Sequence, residues 1–187
     1  PEDYENNIPD LKEFFKNIRE RVQVFIVGSS ASSNYTLGIL EQIKNKQIDI
    51  FYIQPDVELL TGVPKLIENT TFGVLQQYTR SGLFNSITII SNLLLEKVLG
   101  DVPIKNYFEV LNECIFSTVH YFNYFEYTDP EIGQVARPNP INRIRSIAIL
   151  DMKKLEEKWL FKLDMERDLC YYICINEERL ATEGGLH

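Results

Sequence analysis

The fold class of this chain of 187 residues is indicated by the run Val22-Gln23-Val24-Phe25-Ile26-Val27-Gly28. It is almost entirely apolar, rich in β-branched residues, and ends at a glycine, which predicts a strand that is buried on both faces. The next six residues, 29–34, are small and mostly polar, and residues 35–46 regain helical spacing. A buried strand, a short loop and a helix form the first unit of an α/β fold.

The same alternation of strand and helix continues along the chain. Apolar strands are predicted at residues 48–53 and 86–90, and helices at residues 64–80 and 93–99. Strands that alternate with helices are typical of a parallel sheet, because each parallel strand needs a crossover connection. We therefore expect an α/β fold, in which a parallel sheet carries helices on both faces.

A long helix is predicted after this block, at residues 104–126. One apolar stripe runs through it at steps of three or four residues: Ile104, Phe108, Leu111, Ile115, Val119, Phe122 and Phe125. Residues 127–142 contain three prolines and a glycine, which is typical of a domain boundary. Strands are predicted at residues 143–150, 159–163 and 169–175, with a helix at 153–158. We thus divide the chain into an α/β domain (1–103), a central helix (104–126) and the start of a mixed α+β domain (127–187).

The composition narrows the classes of function. The chain has 19 basic and 27 acidic side chains, a net charge of -8, and no basic patch, which argues against nucleic acid as a partner. No apolar run approaches the ~20 residues that cross a bilayer. Three cysteines do not form a disulfide framework, so we expect a cytoplasmic protein. Because it begins at Pro1, we expect the chain to be part of a longer protein.

Most catalytic and metal-binding signatures are absent from the sequence. The two histidines, His120 and His187, lie in the long helix and at the last position, and Cys170 and Cys174 have no zinc spacing. No serine lies in a nucleophile motif, and neither a Walker loop nor a G-x-G-x-x-G run occurs. We predict no metal site in the protein itself.

Two segments have residue types that suit a nucleotide. The first is the predicted loop after the first strand, where backbone N–H groups and a helix start would face a phosphate. Its residues are Gly28, Ser29, Ser30, Ala31, Ser32, Ser33 and Asn34. The alternative is an ordinary loop whose Ser and Asn side chains cap a helix.

The second segment is the start of the long helix, with Phe108, Asn112 and Glu113. Phe108 and Asn112 share a face, and Glu113 lies about 100° further round. The ring can stack on a purine, and the carboxylate can accept from the N–H groups of guanine. The alternative is that Phe108 belongs to the core, while Asn112 and Glu113 are a solvated flank.

These residues resemble the tubulin and FtsZ family. The run Ser86-Ile87-Thr88-Ile89-Ile90-Ser91-Asn92, continuing to Gly100, is similar to the FtsZ run S-L-I-T-I-P-N-D-K-L-L-K-V-L-G, and residues 106–113 are similar to D-A-F-G-A-A-N-D. The resemblance covers about residues 1–145. It implies a Rossmann-like GTPase domain of tubulin/FtsZ type in which Asn92, Phe108, Asn112 and Glu113 contact the guanine or ribose, and residues 28–34 approach the phosphates. The implied cofactor is GTP or GDP, with Mg²⁺ beside it.

Two departures from the family pattern change the function that we expect. The glycine-rich phosphate loop has become a serine-rich one, and both aspartates of the family's N-x-D-x-x-D loop match apolar residues, Ile144 and Ile147, after Asn142. We therefore assign no catalytic residue. We expect a GTP-binding protein that assembles head to tail into filaments, with hydrolysis weak or lost. One alternative is a structural protein that keeps the fold without a nucleotide, and another is an unrelated α/β binding domain.

Overall fold

The computed structural model describes residues 7–130, 134, 137–165, 168–174 and 178. Within these residues, short 3-10 helices precede two of the α-helices, at Ala31–Tyr35 and Ile104–Asn106. The α-helices and strands are, in chain order, α1 (Lys12–Phe15), β1 (Arg21–Val27), α2 (Thr36–Gln42), β2 (Gln47–Gln54), α3 (Gly62–Ser81), β3 (Ser86–Ser91), α4 (Asn92–Leu99), α5 (Tyr107–Tyr127), β4 (Ile144–Ser146), β5 (Ala148–Asp151) and β6 (Glu156–Trp159).

A four-stranded parallel sheet is the centre of the fold. Its strand order is β1-β2-β3-β4, and every neighbouring pair is parallel. The strands β5 and β6 form a separate antiparallel pair. The predicted α/β class, with a parallel sheet between helices, is confirmed, and this arrangement is compatible with a Rossmann-like fold.

Alternating side chains of the strands enter two separate cores. One face of the sheet packs under α2 and α3, with Ile48, Ile50 and Tyr52 of β2 in its core. The other face packs under α4 and α5, with Phe51 and Ile53 in its core. Both faces are covered, which explains why these strands are continuously apolar in sequence.

The connection from β3 to β4 differs in hand from the two before it. Each new strand is added on the same side of the last one, and the first two connections pack α2 and α3 on one face. The third connection passes over the opposite face through α5. Crossovers that advance in one direction over opposite faces have opposite hands, so the α5 connection is not a third repeat of the β-α-β unit.

Hydrogen bonds between the last turns of α5 and the amino ends of the strands fix the helix on the sheet. Glu126, in the last turn of α5, pairs with Arg21 Nη1 at 2.9 Å, and Asn123 exchanges two amide hydrogen bonds with Gln23 at 2.7 and 3.0 Å. Arg21 also donates to Asp49. Because its last turns lie at the start of β1, α5 runs antiparallel to the strands.

Several predictions for the chain after α5 are wrong. Residues 143–150 form two strands, β4 and β5, in different sheets, and residues 153–158 are a turn and strand instead of a helix. The reason is local: Asp151 accepts from the backbone N–H groups of Lys153 and Lys154, and Leu155 has a φ of 54°. These features reverse the chain into a hairpin.

The strand predictions at 159–163 and 169–175 also differ from the structure. Only Trp159 of the first range lies in a strand, and residues 169–174 form none; residue 175 lies outside the described residues. The fourth strand of the main sheet comes from the region predicted as a second domain, and Leu160 enters the core under α5. The division of the chain at residue 127 stays a prediction.

Candidate functional site

The amino end of α5 lies at the carboxyl edge of the sheet. Near its other end Asn123 contacts Gln23 at the start of β1, whereas Tyr107, its first residue, reaches Asn92 just beyond β3. In open parallel α/β sheets ligands bind at the carboxyl ends of the strands. Both segments predicted from the sequence, residues 28–34 and the start of α5, therefore lie at this edge.

Phe108 and Asn112 lie near the stripe of α5 that contains Asn123. At about 100° per residue, Asn112 lies within about 20° of Asn123 around the helix, and Phe108 within about 60°. Asn123 contacts β1, so the stripe is directed to that side. Phe108 is 75% exposed, and Asn112 is exposed as well. The interpretation of Phe108 as a core residue is therefore wrong, because the helix extends past the end of the sheet here.

Three further apolar side chains complete this surface, and the sequence reasoning missed them. Phe116 of α5 is exposed and follows Asn112 by one turn, while Phe25 and Val27 of β1 are exposed on the face that α5 covers. Counting from the Asn123–Gln23 contact, Phe116 lies about 10 Å along the helix and Val27 about 13 Å along the strand. The set Phe25, Val27, Phe108, Asn112 and Phe116 is called the β1–α5 surface below. The i, i+4, i+8 spacing of Phe108, Asn112 and Phe116 was the available signal.

Glu113 lies at the outer side of this surface. It is about 80° from Asn123 around the helix, and its side chain is exposed. Among the described residues it has no hydrogen-bond partner or ion pair. Its carboxylate can therefore bond to a ligand on the outer side of the β1–α5 surface, but it does not face β1.

Asn92 connects to the start of α5 through Tyr107. Its amide nitrogen lies 3.5 Å from Tyr107 Oη and 3.4 Å from Glu96 Oε1, and the Tyr107 ring makes an edge contact with Phe108 at 5.1 Å between centroids. Tyr107 also donates to Glu96, which raises the pKa of the Tyr107 hydroxyl. The structure thus places Asn92 beside the start of α5 through Tyr107, a neighbour that the sequence reasoning missed. Tyr107 lies about 140° from Asn112 around the helix, so Asn92 and Asn112 are on different sides of α5.

The predicted phosphate loop is shorter than expected and bonded to itself. The 3-10 helix begins at Ala31, and Ser30 caps it by accepting from Ser33 N at 3.2 Å. Ser33 donates its hydroxyl to Ser30 O at 2.7 Å. Ser29 has a φ of 54°, so the chain takes the left-handed conformation without a glycine. The serine side chains therefore stabilise the loop through their own hydrogen bonds, in addition to lining it.

Glu68 of α3 lies directly beneath this loop, and no sequence pattern marked it. The residue is 2% exposed; it accepts from Tyr52 Oη and, at 3.1 Å, from Ser29 Oγ. Burial, together with the hydrogen bond to Glu68, raises the pKa of Tyr52. A buried carboxylate here repels a phosphate, which opposes the attraction of the backbone N–H groups above it.

Asn142 and Arg143, the first residues matched to the family's hydrolysis loop, lie at the other end of the sheet. Arg143 O accepts from Ile87 N at the start of β3, and Arg145 Nε donates to Asn142 O at 2.9 Å. The carboxyl edge with Phe108 and Asn112 is thus separated from them by the length of the strands. Within one chain these two groups do not form a common site.

Two general features limit what the site can hold. In the part of the chain that the structure describes, no cluster of three His, Cys, Asp or Glu side chains could coordinate a metal ion. The described helices include none that is both apolar and long enough to cross a membrane. Comparison of the chain with protein family models and with curated proteins gives no match.

Proposed function

We propose that the chain is a guanine-nucleotide-binding protein similar to tubulin and FtsZ, which assembles head to tail with hydrolysis weak or lost. The observation that supports this proposal is the placement of Phe108 and Asn112 at the carboxyl edge of a parallel sheet, on an exposed stripe beside β1. An exposed aromatic ring and a free amide at this edge suit a purine.

In the proposal each residue has a distinct role. Phe108 stacks on the base, Asn112 and Glu113 bond to its edge, and Asn92 contacts the base or ribose. The N–H groups of residues 28–34 approach the phosphates, and Mg²⁺ accompanies them. The protein supplies orientation and hydrogen bonds, and no side chain of this edge is assigned to activate water.

Head-to-tail assembly is suggested by the distance between the two ends of the sheet. The nucleotide would lie at the carboxyl edge, whereas Asn142, Arg143 and Arg145 lie at the amino edge. In a head-to-tail polymer, the amino edge of one subunit meets the carboxyl edge of the next. Arginines there attract phosphates but do not act as a general base, which is why we propose slow hydrolysis or none.

A second candidate function is a structural protein with this fold and no nucleotide. The observation that favours it is Glu68, a buried negative charge beneath a loop whose serines bond to one another. In this case Phe108 and Phe116 would contact a protein partner instead of a base.

A titration separates the two functions. The full chain is titrated with GTP and with ATP, and assembly is followed by electron microscopy with and without GTP. The proposal predicts a preference for GTP that Glu113→Ala abolishes, because the carboxylate accepts from the adjacent N1–H and N2–H groups of guanine, a pair that adenine lacks.

The matched control is Glu41→Ala, which removes an exposed carboxylate of α2 on the other face of the sheet. This variant should keep the preference for GTP. Filaments that form without any GTP binding would support the structural function and would contradict the proposal.

A further inference from the structure

A cavity lies at the carboxyl end of α5, beside the amino ends of the strands. Its volume is about 540 Å³, and Phe122 and Glu126 of α5 line it. That volume is within the range of small-molecule sites. As α5 has 21 residues, this cavity is about 30 Å from the start of the helix, and within one chain it is separate from the proposed nucleotide site.

The lining is positively charged although the protein is acidic. Three arginines, Arg21, Arg137 and Arg145, face the cavity together with one carboxylate, Glu126. The chain as a whole has a net charge of -8. Arg21 is paired with both Asp49 and Glu126, so these five groups together carry one net positive charge, and the guanidinium groups without a carboxylate partner are those of Arg137 and Arg145.

The two remaining guanidinium groups have donors to spare. Arg145 uses Nε to bond Asn142 O at 2.9 Å, which leaves its terminal nitrogens. Arg137 is exposed, and within the described residues nothing bonds to it or pairs with it. Guanidinium forks bind oxyanions by paired N–H donors, so both side chains are available to an anion.

Tyr172 adds a hydroxyl to this pair. Its ring stacks on Phe125 with 4.9 Å between centroids, which holds the side chain against α5. Burial raises the pKa of the Tyr172 hydroxyl, and the neighbouring Cys170 and Glu126 act in the same direction; Tyr172 lines the cavity together with Arg145 and Arg137. The cavity is thus lined by three groups that can donate hydrogen bonds.

Glu126 provides an acceptor without a donor. Its Oε1 pairs with Arg21 Nη1 at 2.9 Å, but Oε2 is buried and has no partner among the described residues. A buried carboxylate oxygen without a hydrogen bond is costly, which points to a donor from outside the chain. The cavity therefore offers donors for an oxyanion and an acceptor for a hydroxyl.

We propose that this cavity binds a small phosphate monoester that carries hydroxyl groups. Arg137, Arg145 and Tyr172 hold the phosphate, and the Glu126 carboxylate turns toward the cavity so that its Oε2 accepts from a hydroxyl of the ligand. Two guanidinium groups and a hydroxyl match the several oxygens of a phosphate better than the two of a carboxylate. Phe122 and the Tyr172 ring form the apolar wall.

The test uses ribose 5-phosphate as the probe and isothermal titration of the full chain. We expect ribose 5-phosphate to bind more tightly than inorganic phosphate, and ribose not to bind. Arg137→Gln and Arg145→Gln should each weaken binding by about ten-fold or more, since each removes a charged hydrogen bond. Arg80→Gln, at an exposed position of α3, should leave the affinity unchanged.

Three results would overturn the proposal: no binding of ribose 5-phosphate, equal affinities for it and for inorganic phosphate, or equal losses in Arg137→Gln and Arg80→Gln. Arg137 makes no internal contact that folding needs, so its variant stays informative if Arg145→Gln unfolds. Asn112→Ala should not change this affinity, which separates the result from the fate of the proposed nucleotide site.

Discussion

The two ends of α5 differ in what their side chains contact. At the carboxyl end, Asn123 and Glu126 bond to β1, whereas at the amino end Phe108, Asn112 and Glu113 remain exposed. Both ends carry aromatic and polar residues, so composition alone does not distinguish them. The carboxyl end of α5 therefore fixes the helix on the sheet, and the amino end leaves its polar groups available for a ligand.

The fixed end is organised around one buried carboxylate, Asp49 of β2. It is 2% exposed and accepts from Arg21, from Asn85 Nδ2 at 2.7 Å and from Ser86 Oγ at 2.6 Å. It therefore links β1, β2 and the start of β3, and through Arg21 it reaches Glu126 on α5. A buried charge is tolerated only with such a full set of partners.

The largest effect is expected for Asp49→Ala. The change leaves Arg21, Asn85 and Ser86 without their acceptor, and we expect the free energy of unfolding to fall by about 3 kcal/mol. Urea denaturation at neutral pH measures it. A loss below about 1 kcal/mol would show that the network around Asp49 does not fix the carboxyl end of α5 on the sheet.

The pH dependence of the same network has a definite sign. Burial raises the pKa of Asp49, but its hydrogen bonds from Arg21, Ser86 and Asn85 outweigh burial, and the pKa is lowered from 3.8. The stability that Asp49 contributes is therefore present above the unfolded pKa and is lost as pH falls through the lower folded value. The stability gap between wild type and Asp49→Asn should narrow in that acid range and be constant near pH 7.

A smaller effect is expected at the carboxyl edge for Gly28→Ala. A Cβ at this position would lie 2.6 Å from Tyr52 Oη and 2.7 Å from Glu68 Oε2. We expect a loss of about 1–3 kcal/mol in the free energy of unfolding, since neither buried group can move away freely. Gly73→Ala on α3 is the matched control.

Nothing lies within 4 Å of a Cβ at Gly73, so its change to alanine should stabilise the helix slightly. Equal effects at the two glycines would mean that Glu68 and Tyr52 are not packed closely beneath the loop. The buried carboxylate of Glu68 would then not lie close to the predicted phosphate site. The observation that favours a structural protein would be lost.

The sequence predicts the sheet and its helices because these depend on patterns a few residues long. The spacing of Leu111, Ile115 and Val119 identifies α5, and the apolar strands predict burial on both faces. It does not predict the Asp49–Arg21 network or Glu68, because each joins residues that are far apart in the chain and lie together only after folding. The hairpin at Leu155 was missed because charged residues at 153–158 suit a helix equally well.

The candidate site was predicted in part for the same reason. Phe108 and Asn112 share a face by helical spacing alone, but the side to which that face is directed depends on the contact of Asn123 with Gln23. Phe25 and Val27 belong to a strand about 80 residues earlier, and no local pattern links them to the start of α5. The position of the fourth strand likewise depends on the path of α5 over the sheet.

Asn112 and Asn123 provide the smallest and most direct test, since they lie on one stripe of the same helix. Asn123→Ala removes two hydrogen bonds to Gln23 and should cost about 1 kcal/mol of stability without changing GTP affinity. Asn112→Ala should leave stability unchanged, because the side chain is exposed, and should weaken GTP binding by about ten-fold.

The decisive measurement is the GTP dissociation constant of wild type, Asn112→Ala and Asn123→Ala under the same conditions. We expect wild type and Asn123→Ala to bind GTP equally well and Asn112→Ala to bind it much more weakly. Equal binding by all three proteins, or a loss in Asn123→Ala alone, would contradict this expectation.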